Sequence, residues 1–289
     1  MASLRDIKRR IGSVRNMQQI TRAMKMVAAA KLRRAQDAML RARPYAQKID
    51  EVLSAIAVRA DEAAHPLLQR RDAKRVELVI MTSDRGLAGG FNSNLLRRAQ
   101  RFLYENADKY EKIQVSTIGN KGRDFVRARN IETRKDYPGI FEALTFEQAK
   151  MVAEELQAAY LDDQLDAVFL AYNEFGSAIS QKPVIVQLLP IEAKVEAEDE
   201  KSLLIDFLYE PSRSEVLDEL LPRHLAMQVW RALLESVASE HGARMAAMEA
   251  ATKNSGELMG KLQLQYNRAR QAYITTELTE IVSGAEALK

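Results

Sequence analysis

Apolar residues near the start of the chain fall at Leu4, Ile7, Ile11, Val14, Met17, Ile20, Met24 and Val27, always three or four apart, and no proline intervenes before Pro44. That spacing predicts one long amphipathic helix. The steps from Ile11 to Val14 and from Val14 to Met17 are both three, a slip in heptad phase that would overwind a coiled coil locally. At the other end, Met227, Trp230, Leu234, Val237, His241, Arg244, Met248, Ala251, Ser255, Leu258 and Leu262 mark a seven-residue repeat. Pro222 suits the first turn of that helix, and no proline follows it. Small and polar residues on the repeat make it a weak zipper alone and suggest close contact with a second helix. About 60 helical residues span roughly 90 Å, against about 50 Å for a compact globule of this chain length. The N-terminal helix, with its matching period, is the expected cover for so long an apolar stripe.

Between the two helices the period changes. Val76–Ser83, Ile113–Ile118, Asp166–Tyr172, Pro183–Leu189 and Ile205–Tyr209 are short apolar runs of the kind that form strands. Helical stretches near Ser93–Tyr110, Gly122–Arg129 and Thr145–Leu161 alternate with them, so an α/β domain of about five strands is expected. The charged segment Glu192–Ser202 reads as a surface loop.

Charge sharpens the asymmetry between the ends and the middle. Residues 1–50 carry thirteen Lys and Arg against Asp6, Asp37 and Asp50, in a chain whose net charge is only +3. A basic helix of this kind seeks an acidic partner, which could be nucleic acid, an anionic membrane surface or acidic protein loops. Organellar transit peptides are also Arg-rich and amphipathic, but this pattern continues well past the length of such a leader. The chain has no cysteine, which excludes disulfides, thiolate metal sites and a cysteine nucleophile.

Asp84–Asn92 (DRGLAGGFN) is the strongest lure for chemistry, a glycine-rich loop between a strand and a helix, where backbone amides can cradle phosphate. It lacks the Lys-Ser/Thr ending of a P-loop, and Gly86, Gly89 and Gly90 do not fit the dinucleotide spacing. A turn needing positive φ angles is the plainer reading, with a partner-contacting loop between the two. His65, His224 and His241 are far apart in sequence and form no ligand pair. The adjacent pairs Glu154–Glu155 and Asp162–Asp163 diverge on a helix and read as solvated faces. No catalytic constellation emerges, and neither a cofactor nor a metal is expected. Zipper-type DNA binding is disfavoured because the partner of the basic helix would be the chain's own other end.

Read as text, the two ends are more specific than their periodicity. Ile7–Arg34 (IKRRIGSVRNMQQITRAMKMVAAAKLRR) and Ile274–Ala287 (ITTELTEIVSGAEA) closely resemble the gamma subunits of F-type ATP synthases. The second segment places Thr275, Glu277, Glu280, Gly284 and Ala285 at the spacing of that family's signature, and SDRGLAGGFN and ASEHGARMAAMEAAT are similar to its internal segments. The resemblance runs in order along the whole chain.

The resemblance implies a fold of the α/β class: a long antiparallel coiled coil of the N- and C-terminal helices plus a Rossmann-like domain of about five strands. The expected divisions are 1–58 and 211–289 for the paired shaft helices and 74–209 for the globular domain. It implies a non-catalytic central-stalk rotor whose coil enters a hexamer of alpha and beta subunits, while the globular domain binds epsilon and the ring of c subunits. Delta would be an indirect partner, and the membrane would be met only through the c-ring. Residues carried over as hexamer contacts are Met24, Lys25, Ala88, Arg244, Arg270, Gln271, Thr275 and Glu277. Arg270 and Gln271 resemble the polar pair that catches a beta-subunit loop. The regulatory cysteine insert of chloroplast members is lacking, so a bacterial source and the cytoplasmic face of the inner membrane are implied.

Overall fold

A computed structural model describes residues 3–57, 65–142, 144–192 and 212–286. The elements run α1 (Leu4–Ala57), β1 (Arg75–Met81), α2 (Phe91–Glu105), β2 (Lys112–Ile118), α3 (Asn120–Ala128), β3 (Thr133–Tyr137), α4 (Phe146–Leu161), β4 (Ala167–Phe175), β5 (Gln181–Leu189) and α5 (Arg213–Glu286). The chain divides into two units, residues 29–243 and a unit made of residues 1–28 with 244–289.

The larger unit is built on one sheet of order β3-β2-β1-β4-β5. β1 pairs in parallel with β2 and β4, β2 in parallel with β3, and only β5 runs antiparallel, against β4. β1 is central and covered on both faces, which is why it reads as a nearly unbroken apolar run. Leu78 and Ile80 face Leu95 and Ala99 of α2 and Val126 of α3. Val79 and Met81 face Val152 and Leu156 of α4, Ile49 and Leu53 of α1, and Leu217, Leu221 and Leu225 of α5. Glu77 lies on that second face with no exposure, and Arg134 of β3 reaches it with Nε 2.7 Å from Oε2. Burial pushes the Glu77 carboxyl above its ordinary range, and Ser116 and Arg134 pull it partly back.

β3 is an addition to the expected strands. Its sequence, TRKDY, shows no apolar alternation because it is an edge strand: Lys135 pairs with Glu155 and Asp136 with Arg127, while Arg134 reaches inward to Glu77. The expected strand at 205–209, and the expected loop beyond Glu192, lie outside the described residues.

Both long helices overrun their prolines. α1 passes through Pro44, which is exposed, so the carbonyl freed one turn earlier can be satisfied by water. α5 begins at Arg213, two residues after the expected boundary at 211 and nine before Pro222, which therefore lies inside the helix and not in its first turn. Its first turn is capped by Ser212, whose Oγ accepts from the Glu215 amide at 3.3 Å and donates to the Glu215 carboxylate at 2.9 Å. That Ser-x-x-Glu box, followed by Leu217, Leu221 and Leu225 buried at helical spacing, sets the true start.

The smaller unit is an antiparallel helix pair. Ile7 and Ile11 pack with Leu262 in a cluster that also draws in Val14, Met259, Tyr266 and Ala269. Further along α1, Thr21 meets Thr252, and Lys25 meets Glu249. Rising numbers on α1 therefore match falling numbers on α5.

Candidate partner-binding surfaces

In an open parallel sheet the ligand crevice lies at the carboxyl ends of the strands, here where the Gly-rich loop leaves β1. Donors at the start of α3, beside that loop, are already engaged. Around the start of α3, the amide of Asn120 donates to Asp84 Oδ1 (3.0 Å), that of Lys121 to the Ser83 carbonyl (3.1 Å), and that of Gly122 to Thr82 Oγ1 (2.7 Å). Gly119 has φ of 94°, and a Cβ there would stand 2.1 Å from the Thr82 carbonyl oxygen, so strand end and helix start are locked together. Ser83 donates to the Arg85 carbonyl and accepts from Asn92 Nδ2, both at 2.7 Å, which closes the loop on itself.

α5 lies across the same edge. Ser236 Oγ donates to the Met81 carbonyl (3.3 Å) and Ser239 Oγ to the Asn173 carbonyl (3.0 Å), while Ala243 packs with Ala88 and Phe91. The loop thus serves packing. Ala88, expected as a partner contact, turns its side chain inward and is 2% exposed, whereas its neighbour Leu87 is 68% exposed.

The helix pair carries the other expected contacts, and its seam differs from the expected one. On α1 the seam runs through Ile7, Ile11, Val14, Thr21, Lys25 and Ala28, each buried or half-buried. Gln18 fills the remaining step by donating from Nε2 to the Thr252 carbonyl at 3.4 Å. The steps alternate four and three without a slip. Met17, Ile20 and Val27 lie outside the seam and are exposed, and Met24 beside them is half-buried. The seam departs from the apolar pattern beyond Val14 because three of its positions, Gln18, Thr21 and Lys25, are polar. On α5 the seam likewise passes through Met248, Thr252, Met259 and Leu262, leaving Leu258 outside.

Lys25 is held by Glu249, Nζ to Oε1 at 2.6 Å, with both side chains more than a third exposed. Such a pair contributes little to stability, about 0–1 kcal/mol. Arg244 is half-buried. Arg270, Gln271, Thr275 and Glu277 all lie in a stretch of α5, residues 270–285, in which every residue is exposed. Thr275 Oγ1 donates to the Gln271 carbonyl one turn back (2.9 Å). The same stretch exposes Tyr273, Ile274, Leu278, Ile281 and Val282, an apolar complement that charge and motif reading passed over although its helical spacing was visible. No helix among the described residues is long and apolar enough to cross a membrane.

Residues 3–288 match the sequence profile of the ATP synthase family. The chain is 65% identical over 292 residues to the ATP synthase gamma chain of Anaeromyxobacter sp. (strain Fw109-5) and 52% identical over 289 residues to that of Geobacter metallireducens, each match covering both chains fully. Among solved structures, it resembles a chain of the Tetrahymena thermophila mitochondrial ATP synthase central stalk and c-ring, with 27% identity and a TM-score of 0.60 over 80% of this chain and 99% of that one. A chain of the Euglena gracilis mitochondrial ATP synthase shares the fold, with a TM-score of 0.71 over 99% of this chain and 94% of that one, at 24% identity.

Proposed function

The chain belongs to the ATP synthase gamma chain family, and from that premise we propose that it is the rotor shaft of the central stalk, transmitting rotation of a membrane c-ring to the catalytic sites of an alpha/beta hexamer. It couples proton flow to ATP synthesis or hydrolysis and catalyses neither. The observation that carries the reading is the last part of α5: sixteen consecutive exposed residues, 270–285, that include five large apolar side chains. An apolar helical face of that length calls for a protein sleeve around it.

The second apolar stripe on α1 fits the same role. Met17, Ile20, Met24 and Val27 flank the seam without belonging to it, so they are available to surrounding subunits while the polar seam holds the helices together. Moving a catalytic site between 1:99 and 99:1 conformer ratios takes about 5.5 kcal/mol of differential contact. That corresponds to roughly 220 Å² of apolar burial, within reach of a few Met, Leu and Ile side chains. Exposed Lys8, Arg9, Arg10, Lys31, Arg33 and Arg34 add a basic surface suited to acidic loops.

Arg270, Gln271, Thr275 and Glu277 serve as contacts near the end of the shaft, and Met24 and Arg244 as contacts lower down. The globular domain takes epsilon and the c-ring, and the complex sits on the cytoplasmic face of a bacterial inner membrane. Copurification tests the reading: a tagged chain expressed with its alpha, beta and epsilon subunits should bring down an ATPase. Recovery of the tagged chain without alpha and beta would refute it.

A further inference from the structure

α2 and α3 lie side by side on one face of the sheet, where Leu95 and Ala99 of the first and Val126 of the second pack on Leu78 and Ile80. α2 carries Arg97, Arg98 and Arg101 against Glu105 alone. α3 and its C-cap carry Lys121, Arg123, Arg127 and Arg129 against Asp124 alone. Seven basic groups against two acidic ones leave these two helices at +5, in a chain whose total is +3. The rest of the molecule does not share that excess.

The charge is turned outward and is poorly neutralised. Arg97, Arg101 and Tyr104 recur at helical spacing on the exposed side of α2, opposite Leu95 and Ala99. Arg123 and Arg127 stand one turn apart on α3. Arg98 lies 4.0 Å from Glu105, Lys121 3.5 Å from Asp124 and Arg127 3.6 Å from Asp136, each farther than a close ion pair. Arg129 rests over the Phe125 ring, 3.8 Å from its centroid, and not on a carboxylate. Arg97, Arg101 and Arg123 have no acidic partner among the described residues, and Nε of Arg123 is buried without an acceptor.

We propose that the outward face of α2 and α3 associates with the phosphate headgroups of anionic phospholipids. The proposal rests on the rotor-shaft reading, which sets the globular domain beside the membrane that holds the c-ring, and it adds a direct lipid contact to that reading. A folded partner is held by buried aromatic and aliphatic anchors. This face offers none but Tyr104, 75% exposed and the one large apolar side chain left exposed between residues 91 and 130. A fluid layer of phosphates requires only charge, guanidinium groups match phosphate oxygens in pairs, and a tyrosine at the edge suits the headgroup level.

Vesicle flotation tests the contact. The soluble complex of the tagged chain with alpha, beta and epsilon is floated with vesicles of phosphatidylglycerol and phosphatidylcholine, one part to two, and with phosphatidylcholine alone. The wild-type complex should bind only the anionic vesicles, at about 50 mM salt and not at about 500 mM, as a screened contact does. Arg97→Gln with Arg101→Gln and Arg123→Gln should weaken binding about a hundredfold, since each basic residue near an anionic surface contributes about fivefold. Lys150→Gln with Lys182→Gln and Arg223→Gln, an equal charge change at other exposed sites, should leave binding nearly unchanged. Both variant complexes should keep wild-type ATPase activity in solution. If the triple variant does not assemble, Arg101→Gln alone should still weaken binding about fivefold. Binding that ignores phosphatidylglycerol or these arginines, in a complex that retains its ATPase, would overturn the lipid contact and leave the shaft reading standing. Loss of epsilon from the triple-variant complex would assign the face to a protein, and arginine-dependent binding of duplex DNA without vesicle binding would assign it to nucleic acid; either would also overturn the contact. Failure of the wild-type chain to retain alpha and beta would overturn both readings.

Discussion

The hydroxyls of Thr21 and Thr252 meet at 2.8 Å across the two terminal helices, between the polar seam positions Gln18 and Lys25, in a seam that turns apolar toward Ile7, Ile11 and Leu262. With the Thr252 hydroxyl donating to the Met248 carbonyl at 2.7 Å, the bond between the two is donated by Thr21, for which the Gln18 carbonyl at 3.1 Å is the alternative acceptor. A polar layer of this kind fixes register, because a slide of one helix past the other would bury hydroxyls against methyl groups.

Replacing one member strands the other. Thr21→Val or Thr252→Val alone should lower stability by about 1–2 kcal/mol, while the double variant should cost less than the sum of the two. Thermal unfolding followed by circular dichroism over the double-mutant cycle measures the coupling, and strict additivity would show that the hydroxyls do not interact.

A pH dependence is expected at His65. Its Nδ1 accepts from the Leu67 amide at 3.1 Å and its Nε2 lies 3.3 Å from Asp218, so the neutral ring with its proton on Nε2 satisfies both contacts. Burial pushes the His65 pKa below its ordinary 6.5, and Asp218 opposes that shift in part. A lowered folded-state value means that the unfolded chain takes up the proton first. The contribution is complete above pH 6.5 and is lost as pH falls through the folded value. His65→Asn, which keeps an acceptor near Nδ1, should flatten the loss of melting temperature between pH 7.5 and pH 5. An unchanged slope would assign it to other groups.

The buried pair Glu77–Arg134 gives a third test. Arg134→Leu leaves a carboxylate uncompensated in the core and should cost about 3–5 kcal/mol at pH 7. Because the folded-state pKa of Glu77 is already raised by burial, its proton is held more tightly in the folded chain. Stability of the variant should therefore recover as pH falls toward the unfolded carboxyl value. Glu77→Met with Arg134→Leu should restore most of the loss at every pH. Urea midpoints at pH 5 and pH 7.5 distinguish these outcomes.

Arg270→Ala with Gln271→Ala addresses the shaft directly. Both side chains are exposed on α5, and in the proposed role they touch moving loops and never the nucleotide. Turnover of the assembled ATPase should fall while nucleotide affinity at the catalytic sites stays nearly constant. A large affinity change at constant turnover would place these residues elsewhere in the mechanism.

The parts of the fold that were legible in the sequence are those where burial and period coincide. β1, β2 and β4 are apolar runs with buried centres, β5 is an apolar run buried at its last two residues, and α2 and α4 bury one stripe each, so their positions could be read within a few residues. The rest was hidden where chemistry and burial part company. Thr21 and Lys25 sit in the seam as polar residues while Met17 and Ile20 lie outside it, so a hydrophobicity pattern pointed to the neighbouring face. β3 was hidden because an edge strand need not look apolar. Of the candidate contacts, Arg270, Gln271, Thr275 and Glu277 lie on exposed helix, which a partner-contacting face and a plain solvated face share. Ala88 could not be placed from text, since which residue of a glycine loop points inward depends on φ angles such as that of Leu87.

Ser236 and Ser239 lie three residues apart on α5 and donate to carbonyls of two adjacent strands, Met81 at the end of β1 and Asn173 in β4. Both hydroxyls are buried, so neither bond can be traded for water when it breaks. For this stretch of helix to twist about its own axis, it would have to draw both hydroxyls away from the sheet edge together, stranding polar groups in the interior. The two serines act as a key in a keyway: torque applied to the sheet turns this part of α5 with it, and torsional slip between them is blocked before any side chain further along the helix is called on to resist.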